Sequence, residues 1–396
     1  LSQFLSACGQ RAQTTLRVQF LEKSIPTQLL QQFERQLGKQ TKLLFSATPQ
    51  LSALFDQLQR WQQQASEQTP PKGLLPGTSA KPEPIADFVT LGDAWLTPAI
   101  QQQLIQPLDS NAAALLQSLP KPWQSLVKRD PQGGVAANGQ PWALPYRWGT
   151  LVLVYRVSAF EALGWTPTDW DDLWRPELEG RLSLLDNARV VIGLALKRLG
   201  QSFNAAPGNA APGNAGSGDA EPGNAEPGGD RLKTSLTELN RQALFYSSEA
   251  YLQPLLLEDT WLAVGWSSDV WPLIKRDRRF AAVVPASGTL LWADLWVRPA
   301  GAPPTPVDLQ AQWLNFFWDD QNALELSLLG AAVSPQLITA DRATLPEGLR
   351  SNPLLLPDNQ LLEQCEFLQP LPAAIASDYA QLWAEMRQPV VDQAST

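Results

Sequence analysis

Histidine is missing from all 396 residues, and cysteine occurs only as Cys8 and Cys365. The first absence removes histidine-based triads, imidazole acid–base work and the commonest zinc and copper ligands. The second leaves no disulfide framework and no cysteine-ligated metal site, so Cys365 is expected to be a buried thiol. The densest group of carboxylates is Asp169, Asp171 and Asp172. It falls where a helix is expected to start, and negative charge there suits the helix dipole without any metal. No nucleophile motif and no P-loop appear. Catalytic chemistry therefore has few carriers, no cofactor is expected, and an enzyme is not the expected reading. Tryptophan is the residue in excess, at 16 positions. Its flat faces suit a core and equally a ligand cleft.

The elements that must position these residues belong to a folded chain. Hydrophobic residues make up 44 % and charged residues 17 %, which permits a packed core. Thirty-nine acids against 30 bases give a net charge of −9, the wrong sign for nucleic-acid binding. The chain opens Leu1-Ser2-Gln3-Phe4-Leu5-Ser6-Ala7-Cys8-Gly9. Leu5-Ser6-Ala7-Cys8 resembles a bacterial lipobox, so residues 1–8 read as the remnant of a lipoprotein signal, with Cys8 the lipidated residue. Beyond it no apolar run is long enough to span a membrane. The expected location is the periplasm, anchored through Cys8.

Strands and helices alternate along the chain, the signature of an α/β architecture with parallel strands. Strands are expected at Thr15–Phe20, Lys42–Phe45 and Ile85–Leu91, and helices at Pro26–Gly38, Leu51–Trp61 and Pro98–Ile105. Residues 65–84 read as loop. A second lobe begins near Pro145, with a buried strand at Thr150–Tyr155, then Leu182–Leu185 and a helix over Val190–Leu199. Residues 205–230 are Ala-Pro-Gly-Asn repeats with nothing to pack, and read as a disordered insert. Helix resumes over Leu232–Ala243. Strands follow at Trp261–Trp266, Ala281–Pro285 and Leu290–Val297, and helices at Pro306–Trp318, Asn322–Leu329 and Ala373–Met386.

Five segments in this order carry a family resemblance. They are Leu144-Pro145-Tyr146-Arg147-Trp148-Gly149-Thr150 with Tyr155-Arg156, the run Asp169 to Gly180, Leu185 to Arg189 with Ala195 to Gly200, Ala263 to Ser267, and Pro285 to Asp294. Together they resemble the periplasmic solute-binding proteins of ABC importers, extracellular solute-binding family 1, in the spermidine/putrescine (polyamine)-binding branch. The resemblance implies an α/β, two-lobed periplasmic-binding-protein-like fold (type II), with hinge crossover strands and a ligand cleft between the lobes. Lobe 1 would span 9–145 with 293–345 returning to it. Lobe 2 would span 146–292 with 346–396. The implied partners are a polyamine-like solute and a membrane permease, and a monomer is expected.

Residue by residue, the resemblance makes Trp292 and Trp266 stacking walls, Asp294 the carboxylate that pairs with a ligand amine, and Gln369 a further amine contact. The family's acidic pair falls on Asn187 and Val190, so both charges are gone, with Asp186 next door. Asn187 also suits the cap of the following helix. The family's residues after the first strand fall on Leu21, Glu22 and Ser24, and those after the third on Gly92, Asp93, Ala94 and Trp95. Asp93 or Glu22 is expected to restore a charge and Trp95 an aromatic wall. Arg147 is expected either in an interlobe or surface ion pair or beside an anionic ligand. Two alternatives stand beside the polyamine reading: a receptor for another small solute, and a secreted glycosidase with tryptophan platforms.

Overall fold

The computed structural model describes residues 14–38, 41–67, 83–207 and 228–388. Cys8 and the greater part of the expected insert lie outside these residues. Two compact units emerge. The first comprises the described residues within Leu1–Arg147, Asp294–Gly330 and Ser334–Thr339. The second comprises those within Trp148–Ala293, Ala331–Val333 and Ala340–Thr396. The chain crosses between units within two strands, at Arg147/Trp148 and at Ala293/Asp294. Residues 331–333 belong with the second unit because Trp148 and Val333 exchange backbone hydrogen bonds. Residues from Ala340 include Glu366, whose N–H donates to the Thr289 carbonyl at 3.0 Å and ties this segment to the second unit.

In the first unit, β1 (Thr14–Leu21) pairs in parallel with β2 (Thr41–Thr48) and with β3 (Phe88–Gly92). The pattern of β1 buries Leu16, Val18 and Phe20, the alternation of a sheet with one face on the core. The helix Thr27–Leu37 returns the chain from β1 to β2 and ends at Gly38, whose φ of 67° only glycine adopts at little cost. β3 starts later than expected. Asp87 takes the Arg17 N–H on its carboxylate at 2.7 Å and the Thr305 hydroxyl, so a side chain does the work of a ladder bond there. Three two-residue strands follow: β4 (Ile105–Gln106), β5 (Lys128–Arg129) and β6 (Gln140–Pro141). The helix expected over Pro98–Ile105 is Leu96–Gln101, closed by Gln103 at φ 55°.

β7 (Leu144–Arg156) runs from the first unit into the second. There it lies between β10 (Leu262–Trp266) and β11 (Phe280–Val283), antiparallel to both. β10 continues in parallel to β8 (Leu182–Leu184), and β8 to β9 (Ala243–Tyr246). β12 (Leu290–Pro299) runs back into the first unit, where it pairs antiparallel with β3. Its opening residues pair with β13 (Glu366–Phe367). The expected parallel strands are present in β1–β3 and β8–β10, but the crossover strands break the pattern: β7 runs antiparallel to β10 and β11, and β12 antiparallel to β3 though parallel to β13.

The helix expected from Leu232 begins at Gly228, and Ala205 accepts a hydrogen bond from the Tyr379 hydroxyl, so the margins of the expected insert belong to the fold. The helix from Leu51 continues to Glu67, three residues into the expected loop. The first unit's core is aromatic: Trp313 and Phe317 pack on Trp296, and Tyr146 stacks on Trp296 at 4.4 Å. The second unit's core gathers Trp170, Phe203, Tyr251 and the Val190–Leu196 face. No described helix is long and apolar enough to cross a membrane.

Candidate functional site

In each unit some of the residues singled out in the sequence follow the carboxyl end of a parallel strand, Asp93 and Trp95 after β3 in the first and Trp266 closing β10 in the second, and such ends are where open α/β sheets place their ligands. In the first unit the rim follows β3. Gly92 is the register partner of Asp294 on β12. A short turn, Asp93–Trp95, comes next, and Asp93 accepts the Ala94 N–H at 3.0 Å. Trp95 lies against Phe55, ring centroids 4.5 Å apart. Glu22, past the end of β1, is exposed, while neighbouring Ser24 is buried and accepts the Tyr146 hydroxyl at 3.1 Å. Burial pushes the Tyr146 phenol up to about 12, and Asp294 adds to the rise, so Tyr146 stays neutral and bridges Ser24 and Thr90.

Asp294 does not wait for a ligand alone. Nε and Nη2 of Arg147 both stand 2.6 Å from its Oδ2, with Asp294 1 % exposed and Arg147 6 %. Burial by itself would lower the guanidinium pKa, but Asp294 outweighs it and the net shift is upward. Arg147 is therefore neither an interlobe nor a surface partner. It is the buried counter-ion of the carboxylate expected to meet an amine.

In the second unit, Gly149 of β7 sits against β10 and β12. A Cβ at this position would lie 2.7 Å from Cζ2 of Trp292 and closer still to the Ser267 hydroxyl. Only glycine admits that approach. Ser267 accepts the Thr150 N–H at 3.0 Å. Trp266, one residue earlier, is held from behind: its N–H donates to the Tyr251 hydroxyl, which donates to Asp269 at 2.6 Å. Trp266 and Trp292 are both half-buried, as a partly presented stacking face requires. Gly265 allows Tyr251 to pass, since a Cβ there would sit 3.1 Å from its Cζ. The sequence reading missed Tyr251, Asp269 and Ser267. Of these only Ser267 carried a signal, by adjacency to Trp266.

Two other expected contacts, Asn187 and Gln369, and the neighbouring Asp186 have structural occupations. Asn187 accepts the Val190 N–H at 3.2 Å as the cap of helix Ala188–Arg198. Asp186 pairs with Arg387 at 3.2 Å. Gln369 is exposed, and its backbone engages Asn204 and Arg189. The Asp169–Asp172 group forms a capping box on a short 3-10 turn, Trp170–Trp174.

Fold and rims together define a two-unit α/β solute-binding protein. Its fold matches the spermidine/putrescine ABC transporter substrate-binding protein PotD from Streptococcus pneumoniae, with a TM-score of 0.71 at 19 % identity over 94 % of this chain and 98 % of that one. It also matches the TpPotD lipoprotein of Treponema pallidum, with a TM-score of 0.64 at 15 % identity over 94 % and 99 %. The profile of the bacterial extracellular solute-binding proteins matches residues 83–363, and the chain belongs to that family. Among curated relatives, a putrescine/cadaverine-binding protein of Pseudomonas aeruginosa is 25 % identical over 265 residues, 63 % of this chain and 67 % of that one. Spermidine/putrescine-binding periplasmic protein 1 of Haemophilus influenzae is 21 % identical over 301 residues, 76 % and 74 %.

Proposed function

We propose that this protein is the solute receptor of an ABC importer, that it takes an aliphatic amine of the polyamine class, and that it hands this solute to a membrane permease without chemical change. The observation that carries the reading is the Gly149 approach, which seats the Trp292 ring beside Ser267, the residue that follows Trp266 in the chain. An alkylammonium placed on such faces gains cation–π attraction and buried apolar area, worth about 2 kcal/mol per desolvated contact. The names of the curated relatives support the same class. Lipid attachment at Cys8 and residence at the periplasmic face of the membrane belong to the same proposal.

The Arg147–Asp294 pair favours a second reading, a different small solute, because the acid is already neutralised. Calorimetric titration with putrescine, cadaverine, spermidine and spermine tests the first reading. Micromolar or tighter binding of any of them supports it. No heat from any, with thermal stabilisation by a neutral or anionic solute, transfers the assignment to the second.

A further inference from the structure

The helix Ser267–Arg276 carries Asp269, Pro272, Leu273 and Arg276 at i, i+3, i+4 and i+7, the spacing of a single helix face. Between this face and the segment 249–256 lies a cleft of about 320 Å³, open to solvent. That volume is of the size that holds small molecules. Leu252, Leu256 and Leu273 give the cleft an apolar lining, and its charged residues are Glu249, Asp269 and Arg276. Asp269 and Arg276 stand seven residues apart, about 10 Å along the helix axis. The helix therefore sets an acid at one end of an apolar stretch and a base at the other.

The walls are held in place. Tyr251 is 1 % exposed, and its hydroxyl donates to Asp269 at 2.6 Å. Burial lifts this phenol well above its usual pKa, so it stays a donor at neutral pH. The Ser183 hydroxyl donates to the Tyr251 carbonyl at 2.5 Å, and Ser247 accepts the Ala250 N–H at 2.9 Å. The charges at the ends are available. Arg276 and Glu249 are exposed, and neither forms an ion pair among the described residues. Asp277, the acid next to Arg276 in the chain, is engaged by Arg279 at 2.7 Å. A carboxylate accepts two parallel hydrogen bonds from a guanidinium, and an ammonium donates to carboxylates, so each end has its own complement. A simple alkylamine would lay its apolar end against Arg276 and leave the guanidinium unused.

We propose that this cleft is a second ligand site, and that it takes a zwitterion whose ammonium and carboxylate stand about 10 Å apart. The ammonium lies at Asp269 and Glu249, the carboxylate at Arg276, and the connecting chain on the leucines. The proposal does not rest on the polyamine reading. The probe is 8-aminooctanoate. Its controls are 5-aminopentanoate, which is too short, and octylamine, which lacks the carboxylate. By calorimetry, 8-aminooctanoate should bind the intact protein at least tenfold more tightly than either control. Arg276→Gln should bring 8-aminooctanoate down to the level of octylamine while leaving octylamine and putrescine unchanged. Arg276→Lys, which keeps the charge but loses the paired donors, should fall between. Glu249→Gln should weaken 8-aminooctanoate and octylamine together. Thermal melts of all variants establish folding. No binding of 8-aminooctanoate, or binding no tighter than that of the controls, overturns the proposal. So does binding that Arg276→Gln leaves unchanged, since the probe would then sit elsewhere. Putrescine titrated on the same proteins tests the polyamine reading separately, so either reading can fail alone.

Discussion

Arg147 and Asp294 sit on the two strands that cross between the units, and each is the other's buried counter-ion, with two nitrogens at 2.6 Å from one oxygen. Such a pair adds little to stability relative to well-packed apolar groups, because desolvation offsets attraction. Breaking it is different. Arg147→Met leaves a buried carboxylate beside Tyr146 with its main partner gone, and should cost about 3–5 kcal/mol of folding stability. The double variant Arg147→Met with Asp294→Leu should recover most of that loss. Urea denaturation of the two variants measures both. A loss under about 1 kcal/mol in the single variant would show that water reaches the pair and that it is not desolvated.

Gly149→Ala tests the close approach in the second unit. The added methyl must displace the Trp292 ring or the Ser267 hydroxyl, and overpacking of this kind costs about 1–3 kcal/mol. Solute affinity should fall as well, because Trp292 would leave its position. Denaturation midpoints and calorimetry read the two effects. Unchanged affinity in a destabilised variant would remove Trp292 from the proposed ligand wall.

How much of this was legible beforehand depends on range. Elements governed by local pattern came through, as in Leu29 and Phe33 on one helix face with Gly38 as terminator, and in the tryptophan-flanked strand ending at Trp266. What depended on a distant partner did not. Arg147 and Asp294 are 147 residues apart, and Tyr251 reaches Asp269 and Trp266 across a strand boundary. No periodicity encodes such meetings. Asp87 shows the same limit at shorter reach, since its carboxylate replaces a ladder bond that the apolar run alone would assign to β3. Asn187 is the opposite case. Its cap geometry is local, so its role as cap could be read from type and position.

The capping box around Asp172 predicts a stability effect without a metal effect. Its Oδ2 accepts the N–H groups of Thr168 and Asp169 and the Thr168 hydroxyl, while Oδ1 takes Arg175. Asp169 Oδ1 accepts from Trp170 and Ser287. Asp172→Ala should cost about 2–3 kcal/mol, the loss of a cap plus buried donors left unpaired. Calcium and chelator should give superimposable melts, since the inward oxygens are already engaged. A calcium-dependent rise in melting temperature would reopen the metal reading of this cluster.

Cys365 gives a pH prediction of definite sign. Burial pushes its thiol up to about 11, and its Sγ lies 3.2 Å from the Leu361 carbonyl. The reactive thiolate is therefore scarce at pH 8, at about 0.1 % of the population, against roughly a quarter for an ordinary exposed cysteine. Alkylation of the native protein should be slow at pH 8 and should accelerate nearly tenfold per pH unit up to about pH 10. Peptide mapping after iodoacetamide treatment measures the rate at this position. Fast modification at pH 8 would mean that the segment opens more readily than its packing implies.

The remaining prediction concerns attachment to the membrane. Leu5-Ser6-Ala7-Cys8 places small residues ahead of a cysteine, as lipid attachment requires, and Cys8 precedes β1, so acyl chains there would not disturb the sheet. No described helix is long and apolar enough to cross the bilayer. Each buried methylene contributes about 0.8 kcal/mol, so two or more acyl chains would dominate partitioning over any contact made by the folded units. In the full-length precursor, Cys8→Ser should move the protein from the membrane pellet to the soluble periplasmic fraction. The wild-type N-terminal peptide should carry the mass of its acyl groups. Equal membrane association of variant and wild type, or an unmodified Cys8 peptide, would refute lipidation and leave the solute-binding proposal untouched.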